Sequence, residues 1–208
     1  MTNRWLKSSM LTVSLCTIVC ALFMGAVGCS SPDVSTPPDT ATPPDTATQP
    51  DSPSLPEKLG LIVVEGEIEA PDFTLPTMAD TEITLSDLQG KPVVLNFWAT
   101  WCSWCVAELP YFDKAIKEHA GEITIVALDL QEEASQVKNF LQKLFDGKEV
   151  GFIVALDKNA QVASAYSVGR SIPVTFLIDS EGIIRYVKVG AFLNEEHLED
   201  SIALLLQS

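Results

Sequence analysis

The stretch that most constrains this chain is Val93-Val94-Leu95-Asn96-Phe97-Trp98, which runs straight into Ala99-Thr100-Trp101-Cys102-Ser103-Trp104-Cys105. A short apolar run rich in β-branched and aromatic residues is the pattern of a strand covered on both faces. Such a strand requires a layer of structure on each side of its sheet. Downstream, Val106, Leu109, Phe112 and Ile116 recur at helical spacing, which predicts a helix from about Ser103 to His119 that stops near Gly121. Pro110 lies inside that helix, where it removes a backbone hydrogen bond and predicts a kink. The strand therefore delivers two cysteines to the first turn of a helix.

The chain on either side of this unit alternates in type. Asp72-Phe73-Thr74-Leu75 and Glu82-Ile83-Thr84-Leu85 alternate polar and apolar residues around Met78-Ala79-Asp80-Thr81, which predicts a small hairpin. Ser86–Gly90 reads as a short helical turn. Strands are expected at Ile123–Leu128, Phe152–Leu156, Val174–Ile178 and Ile183–Val187. Helices are expected at Ala134–Leu144, Asn159–Tyr166 and Glu195–Leu205. Interleaved helices and strands that end in a hairpin imply the α/β class, with a central mixed β-sheet flanked by helices on both faces. The first hairpin precedes it in the chain.

The N-terminal part has a different character. Arg4 and Lys7 precede the apolar run Met10–Val27 with no acidic residue among them, as in a signal peptide. The run is nearly long enough to cross a bilayer, so an uncleaved anchor is the competing reading. Ala26-Val27-Gly28-Cys29 resembles the bacterial lipobox, at which the cysteine becomes lipidated and N-terminal, although Ala26 stands where leucine is most usual. The expected organisation is therefore a signal peptide with lipobox at 1–28, a linker at 29–60 that begins with lipidated Cys29, and a folded domain at 61–208. Either anchor places that domain outside the cytoplasm and at a membrane. The linker repeats Thr-Pro-Pro-Asp-Thr-Ala at Thr36–Ala41 and Thr42–Ala47 and has almost nothing to bury, so disorder is expected. If mostly extended at ~3.1 Å per residue, its Ser30–Glu57 stretch would reach on the order of 85 Å.

The formal net charge is −15, and loss of Arg4 and Lys7 with the leader would leave 11 − 28 = −17. No basic stripe is available to neutralise phosphates, which argues against nucleic acid as a partner.

Of the five cysteines, Cys16 and Cys20 lie in the apolar leader and Cys29 ends it, so only Cys102 and Cys105 belong to the domain. A zinc site would need two further ligands, and His119 and His197 lie far along the chain. A covalent haem site would want histidine directly after Cys105, where Val106 stands. A purely structural bridge would close too short a loop to stabilise much. Reversible dithiol chemistry remains, with neither metal nor other cofactor required. At a helix N-terminus a thiolate is stabilised by unpaired N–H groups and the helix dipole, so Cys102 is the expected attacking residue. Cys105, one turn further in, is the expected resolving residue. Ser103 and Trp104 should tune the stability of the reduced form and access to the thiols.

Two further positions carry alternatives. Glu108 shares the Cys105 face of the helix, where it is either a proton acceptor and donor or a solvated first-turn glutamate. Ile172-Pro173 heads the strand Val174–Ile178, and periodicity does not distinguish a trans strand-starter from a cis bond.

Asn96-Phe97-Trp98-Ala99-Thr100-Trp101-Cys102-x-x-Cys105 with Glu108-Leu109-Pro110, together with Ile172-Pro173-Val174-Thr175-Phe176-Leu177-Ile178-Asp179, resembles the TlpA/ResA-like branch of the thioredoxin superfamily. The resemblance covers roughly Ala70 to the C-terminus. It implies a thioredoxin fold with an N-terminal β-hairpin extension, which the predicted hairpin fits, and a thiol:disulfide oxidoreductase with Cys102, Cys105 and Glu108 as catalytic residues. It further implies that Pro173 is cis and faces the dithiol, so that the Ile172 main chain can pair with a substrate strand beside Trp101 and Trp104. The implied task is reduction of protein disulfides outside the cytoplasm. Apocytochrome c is one such substrate, and electrons would come from a membrane thiol relay.

Two positions depart from the pattern. Trp104 replaces the proline common before the second cysteine. Asn96 stands where thioredoxins proper carry a buried aspartate, which moves acid–base work towards Glu108.

Ala70-Pro71-Asp72-Phe73-Thr74-Leu75 also looks like the opening of peroxiredoxins, which makes a thiol peroxidase the alternative activity. Leu95 and Ala99, however, occupy the places of the Pro and Thr in the Pro-x-x-x-Thr-x-x-Cys that those enzymes use. A redox-silent binding module is a third reading, against which both cysteines, Trp101 and Pro173 stand in their family places.

Overall fold

A computed structural model describes residues 53–208. The leader, Cys29 and the linker up to residue 52 lie outside the described residues.

The sheet is built outward from β4 (Val93–Trp98), all of whose residues are buried. On one side β4 pairs in parallel with β5 (Thr124–Leu130), and β5 with β6 (Ile153–Asp157). On the other side it pairs antiparallel with β7 (Val174–Ile178), then β8 (Ile184–Val189), then β1 (Leu61–Val63) at the edge. The order is therefore β1-β8-β7-β4-β5-β6, a mixed sheet. Successive β4 side chains point to opposite faces. Val94 and Trp98 join the core under α2 (Ser103–Glu118), α3 (Ala134–Leu144) and α5 (Glu195–Leu205). Leu95 and Phe97 join the opposite core, under α4 (Gln161–Ala165) and the hairpin β2 (Thr74–Pro76)–β3 (Glu82–Thr84). This is the thioredoxin fold with its hairpin extension.

The hairpin also covers a sheet edge. Met78 N–H donates to the Val154 carbonyl at 2.9 Å, and Thr77 bridges to Ala155 of β6. A single turn of 3-10 helix, Leu85–Leu88, follows β3. Pro110 sits in mid-α2 and does not end the helix.

Among the boundaries that differ from the sequence reading, three have an identifiable reason. The folded unit starts before Leu61: α1 (Leu55–Lys58) leads to Leu59, only 4% exposed in the main core, and Gly60 at φ +64 turns the chain into β1. One buried leucine is too weak a periodic signal to mark such a start. Strand β5 runs two residues past Leu128, because Asp129 is fully buried where a polar residue suggested an end. Strand β6 likewise ends on a buried carboxylate: Asp157 accepts from the Gln161 and Ala163 N–H groups and so begins α4.

Candidate active site

The turn after β4 is closed by Cys102 N–H donating to the Ala99 carbonyl at 3.1 Å. It leaves Cys102 as the N-cap of α2, with extended backbone, and Cys105 N–H donates to Cys102 Sγ at 3.2 Å. An N-cap acceptor meets donors that the helix itself cannot satisfy. In this structure the two sulfurs are joined in a disulfide, with Cα atoms 5.3 Å apart. Exposure separates them: Cys102 is 8% exposed and Cys105 not at all. Trp101 and Trp104, by contrast, are 64% and 66% exposed on either side of Cys102, large apolar surfaces left in water beside the disulfide.

The Ile172–Pro173 peptide is cis, and the Ile172 carbonyl oxygen lies 3.6 Å from Cys102 Sγ. Of the two alternatives left open by periodicity, the structure therefore has the cis form, against the Cys102 sulfur. Gly190 N–H holds the Pro173 carbonyl at 2.9 Å, tying this loop to the end of β8. Trp101 and Ile172 also line a cleft of about 600 Å³ whose far wall includes Leu130, Val168 and Arg170.

Glu108 is not a solvated glutamate. It is fully buried on α2, three residues after Cys105 and so on the same helix face. Its carboxylate accepts from Asn96 Nδ2 and from Phe192 N–H, each at 2.9 Å. Burial pushes the carboxyl up to about 7, against the opposing pull of those two hydrogen bonds and of the Lys188 charge. Asn96, also fully buried, donates its second amide hydrogen to Thr175 Oγ1 at 2.9 Å, and its Oδ1 has no partner. The sequence reading placed Asn96 at a position of interest. The roles of Thr175, Lys188 and the Phe192 backbone carried no sequence signal, because three separate strands and loops bring them to one helix face.

A buried carboxylate pair, Glu132 and Asp129, carried almost no sequence signal. Glu132 accepts from Thr100 N–H and from Thr100 Oγ1, both at 2.6 Å, directly upstream of Trp101. Glu132 N–H in turn donates to Asp129 Oδ1 at 3.3 Å. A charged residue inside an apolar run, as Asp129 is in Thr124–Leu130, is the one signal that pointed here.

His119, considered above as a metal ligand, is engaged elsewhere: Nε2 meets Glu199 Oε2 at 2.7 Å across the α2–α5 contact. No group of three or more metal-ligating side chains occurs among the described residues.

A fold of this kind, with a disulfide at the start of the first long helix and a cis-proline loop against it, defines a thioredoxin-fold thiol:disulfide oxidoreductase. Comparison with known proteins gives the family. Residues 67–187 match the sequence model of the AhpC/TSA family, and the chain belongs to that family. It is 40% identical over 129 residues to the thiol-disulfide oxidoreductase ResA of a Bacillus cereus strain, covering 62% of this chain and 72% of that one. Among solved structures, it is similar to a Chlorobium tepidum chain assigned to the DsbE-type thiol:disulfide interchange proteins. That match has a TM-score of 0.61 and 31% identity, over 69% of this chain and 99% of that one. It is also similar to the exposed lipoprotein thioredoxin Etrx1 of Streptococcus pneumoniae. There the TM-score is 0.56 and the identity 28%, over 65% and 100% of the two chains.

Proposed function

We propose that this oxidoreductase reduces protein disulfides outside the cytoplasm while tethered to a membrane through Cys29. The observation that carries the reading is the asymmetry of the pair, with Cys102 at the surface between two exposed tryptophans and Cys105 fully covered. In the reduced protein, the Cys102 thiolate attacks one sulfur of a substrate disulfide and releases the first substrate thiolate. Cys105 then attacks Cys102 Sγ, which breaks the mixed disulfide, releases the second substrate thiolate and closes Cys102–Cys105. Two electrons pass to the substrate. Glu108, near neutrality in its proton affinity and on the Cys105 face, takes the proton from Cys105 and returns it to the departing thiolate.

Trp101, Trp104 and the Ile172 carbonyl next to Cys102 are the groups that meet the substrate, which favours an extended polypeptide laid along the cis-Pro173 loop. Apocytochrome c fits that description, and a membrane thiol relay is the electron source that would return the disulfide to the dithiol. The lipoprotein name of the Streptococcus pneumoniae relative supports the tether. Leu95 and Ala99, both fully buried, do not offer the proline and hydroxyl that a peroxide site uses, so the peroxidase alternative is disfavoured.

Trapping tests the mechanism. Cys105→Ser should accumulate a mixed disulfide through Cys102, visible as a mass increase reversed by dithiothreitol, and Cys102→Ser should lose reductase activity altogether. An active Cys102→Ser protein would overturn the assignment. A reduction potential near about −300 mV fits a reductant, whereas one near about −120 mV would make the protein an oxidant.

A further inference from the structure

The turn that presents Cys102 is held from below by an arrangement that the disulfide chemistry described so far does not use. Glu132 precedes α3, in a different part of the chain, and is only 7% exposed. Its two carboxylate oxygens are spent on one residue: Oε2 accepts from Thr100 N–H and Oε1 from Thr100 Oγ1. Gln136, on the first turn of α3, donates to Glu132 Oε1 and lies 3.4 Å from Thr100 Oγ1. Glu132 is itself fixed through its backbone, whose N–H donates to Asp129 Oδ1. Asp129 is the parallel cross-strand partner of Trp98, the last residue before the turn, and is fully buried with its Oδ2 unpartnered. Burial and the adjacent Glu132 push the Asp129 carboxyl up to about 8, which keeps a second negative charge away from the pair at neutral pH.

A bidentate, charge-assisted grip of this kind is stronger and more directional than a neutral hydrogen bond. It is also more than the strand requires, since β4 is already buried along its whole length between the two cores. It acts where the chain leaves the strand, one residue before Trp101 and two before Cys102.

We propose that Glu132 is a positioning residue for thiol exchange. Its carboxylate sets the Thr100–Cys102 turn at the height where Cys102 Sγ meets the Cys105 N–H and the face of Trp101 is turned to substrate. Asp129 and Gln136 support it. Loosening this grip lets the turn sample orientations in which the Cys102 thiolate loses its helix-terminal donor, so the thiolate becomes less stable and exchange slows. Glutamine at position 132 keeps the shape and, with the Thr100 hydroxyl turned to accept, a hydrogen bond at each Thr100 group, but it loses the charge that makes the grip strong and directional.

The inference rests on Cys102 being the attacking thiol, and the experiment separates the two. The full reduced protein is alkylated with iodoacetamide across about pH 5 to 9, and the modified cysteine is identified by mass spectrometry. For Glu132→Gln the Cys102 rate at neutral pH should fall about tenfold, with the profile displaced to higher pH. Glu133→Gln is the control, since Glu133 is exposed and pairs only with Lys158. It should match the native profile. Thr100→Val should move the profile in the same direction as Glu132→Gln, and Thr100→Ser, which keeps the hydroxyl, should restore it. A purely structural role would lower the melting temperature and leave the profile in place, and that result overturns the proposal. Faster alkylation of Glu132→Gln overturns it as well, because the carboxylate would then act only by its charge. If Glu132→Gln does not fold, the Thr100→Val and Thr100→Ser pair decides by the same criterion. Alkylation of Cys105 before Cys102 in the native protein would instead remove the attacking-thiol assignment.

Discussion

Glu108 joins two facts that pull in opposite directions, complete burial and two hydrogen bonds aimed at its carboxylate. Burial dominates, so the folded protein binds this proton more tightly than the unfolded chain does. The sign follows directly. Between the unfolded value near 4.5 and the folded value near 7, stability falls as pH rises, and above that window the loss is constant. Glu108→Gln removes the charge and should be tolerated, because the Asn96 amide can reverse, offering Oδ1 to the new NH2 while the Thr175 hydroxyl donates instead of accepting. Urea titrations should therefore show the variant gaining on the native protein by up to about 3 kcal/mol between about pH 4.5 and 8. Disulfide exchange should slow by about 10- to 100-fold and lose its pH dependence near neutrality. An unchanged rate–pH profile would return Glu108 to a packing role.

Among the elements, α5 offers a clean separation of stability from chemistry. Its N-cap Asn194 accepts from His197 N–H at 2.9 Å, and Phe192 just upstream supplies the N–H that Glu108 accepts. Asn194→Ala should lose about 1 kcal/mol, or about 2–4 °C in melting temperature, with the exchange rate unchanged. A parallel fall in rate would mean that the cap also holds the Phe192 donor. Elements such as α3, α5, β4 and β7 were legible from sequence to the residue, because long periodic or continuous apolar patterns define them. Strand β1 was not: Leu61 points into the core, but Ile62 and Val63 are about half exposed, and nothing in the sequence implies a pairing with β8. The site was legible to the same degree and for the same reason. Cys102, Cys105 and Glu108 share one helix and could be seen together, and Pro173 entered through resemblance. Asn96, Thr175 and Phe192 around Glu108, and Glu132 beneath Thr100, meet only after the sheet has formed. Periodicity describes one element at a time and does not report which loops converge.

At the scale of the whole molecule, the chain combines an acidic domain with an apolar N-terminal run and a Pro/Thr/Asp-rich stretch of very different composition. If Cys29 is the anchor, mass spectrometry of the mature protein should find an N-terminal diacylglyceryl cysteine and no peptide from residues 1–28. An unmodified Met1 or a free Cys29 thiol would remove the tether from the proposal. Among the described residues no helix is long and apolar enough to cross a membrane, and the proposed anchor at Cys29 lies upstream of α1. That route has a mechanical side. Tension transmitted from upstream meets α1 and then β1, an edge strand held to β8 by three consecutive pairs, Leu61 to Lys188, Ile62 to Val187 and Val63 to Tyr186. Pulled from one end, an antiparallel edge opens one rung at a time rather than all at once. The first rung, Leu61 to Lys188, lies beside the amine whose charge acts on Glu108, whereas the pairs of β4 with β7 next to the dithiol lie two strand interfaces further into the sheet. A strained tether would thus yield at its own attachment point before it could distort the pair of sulfurs.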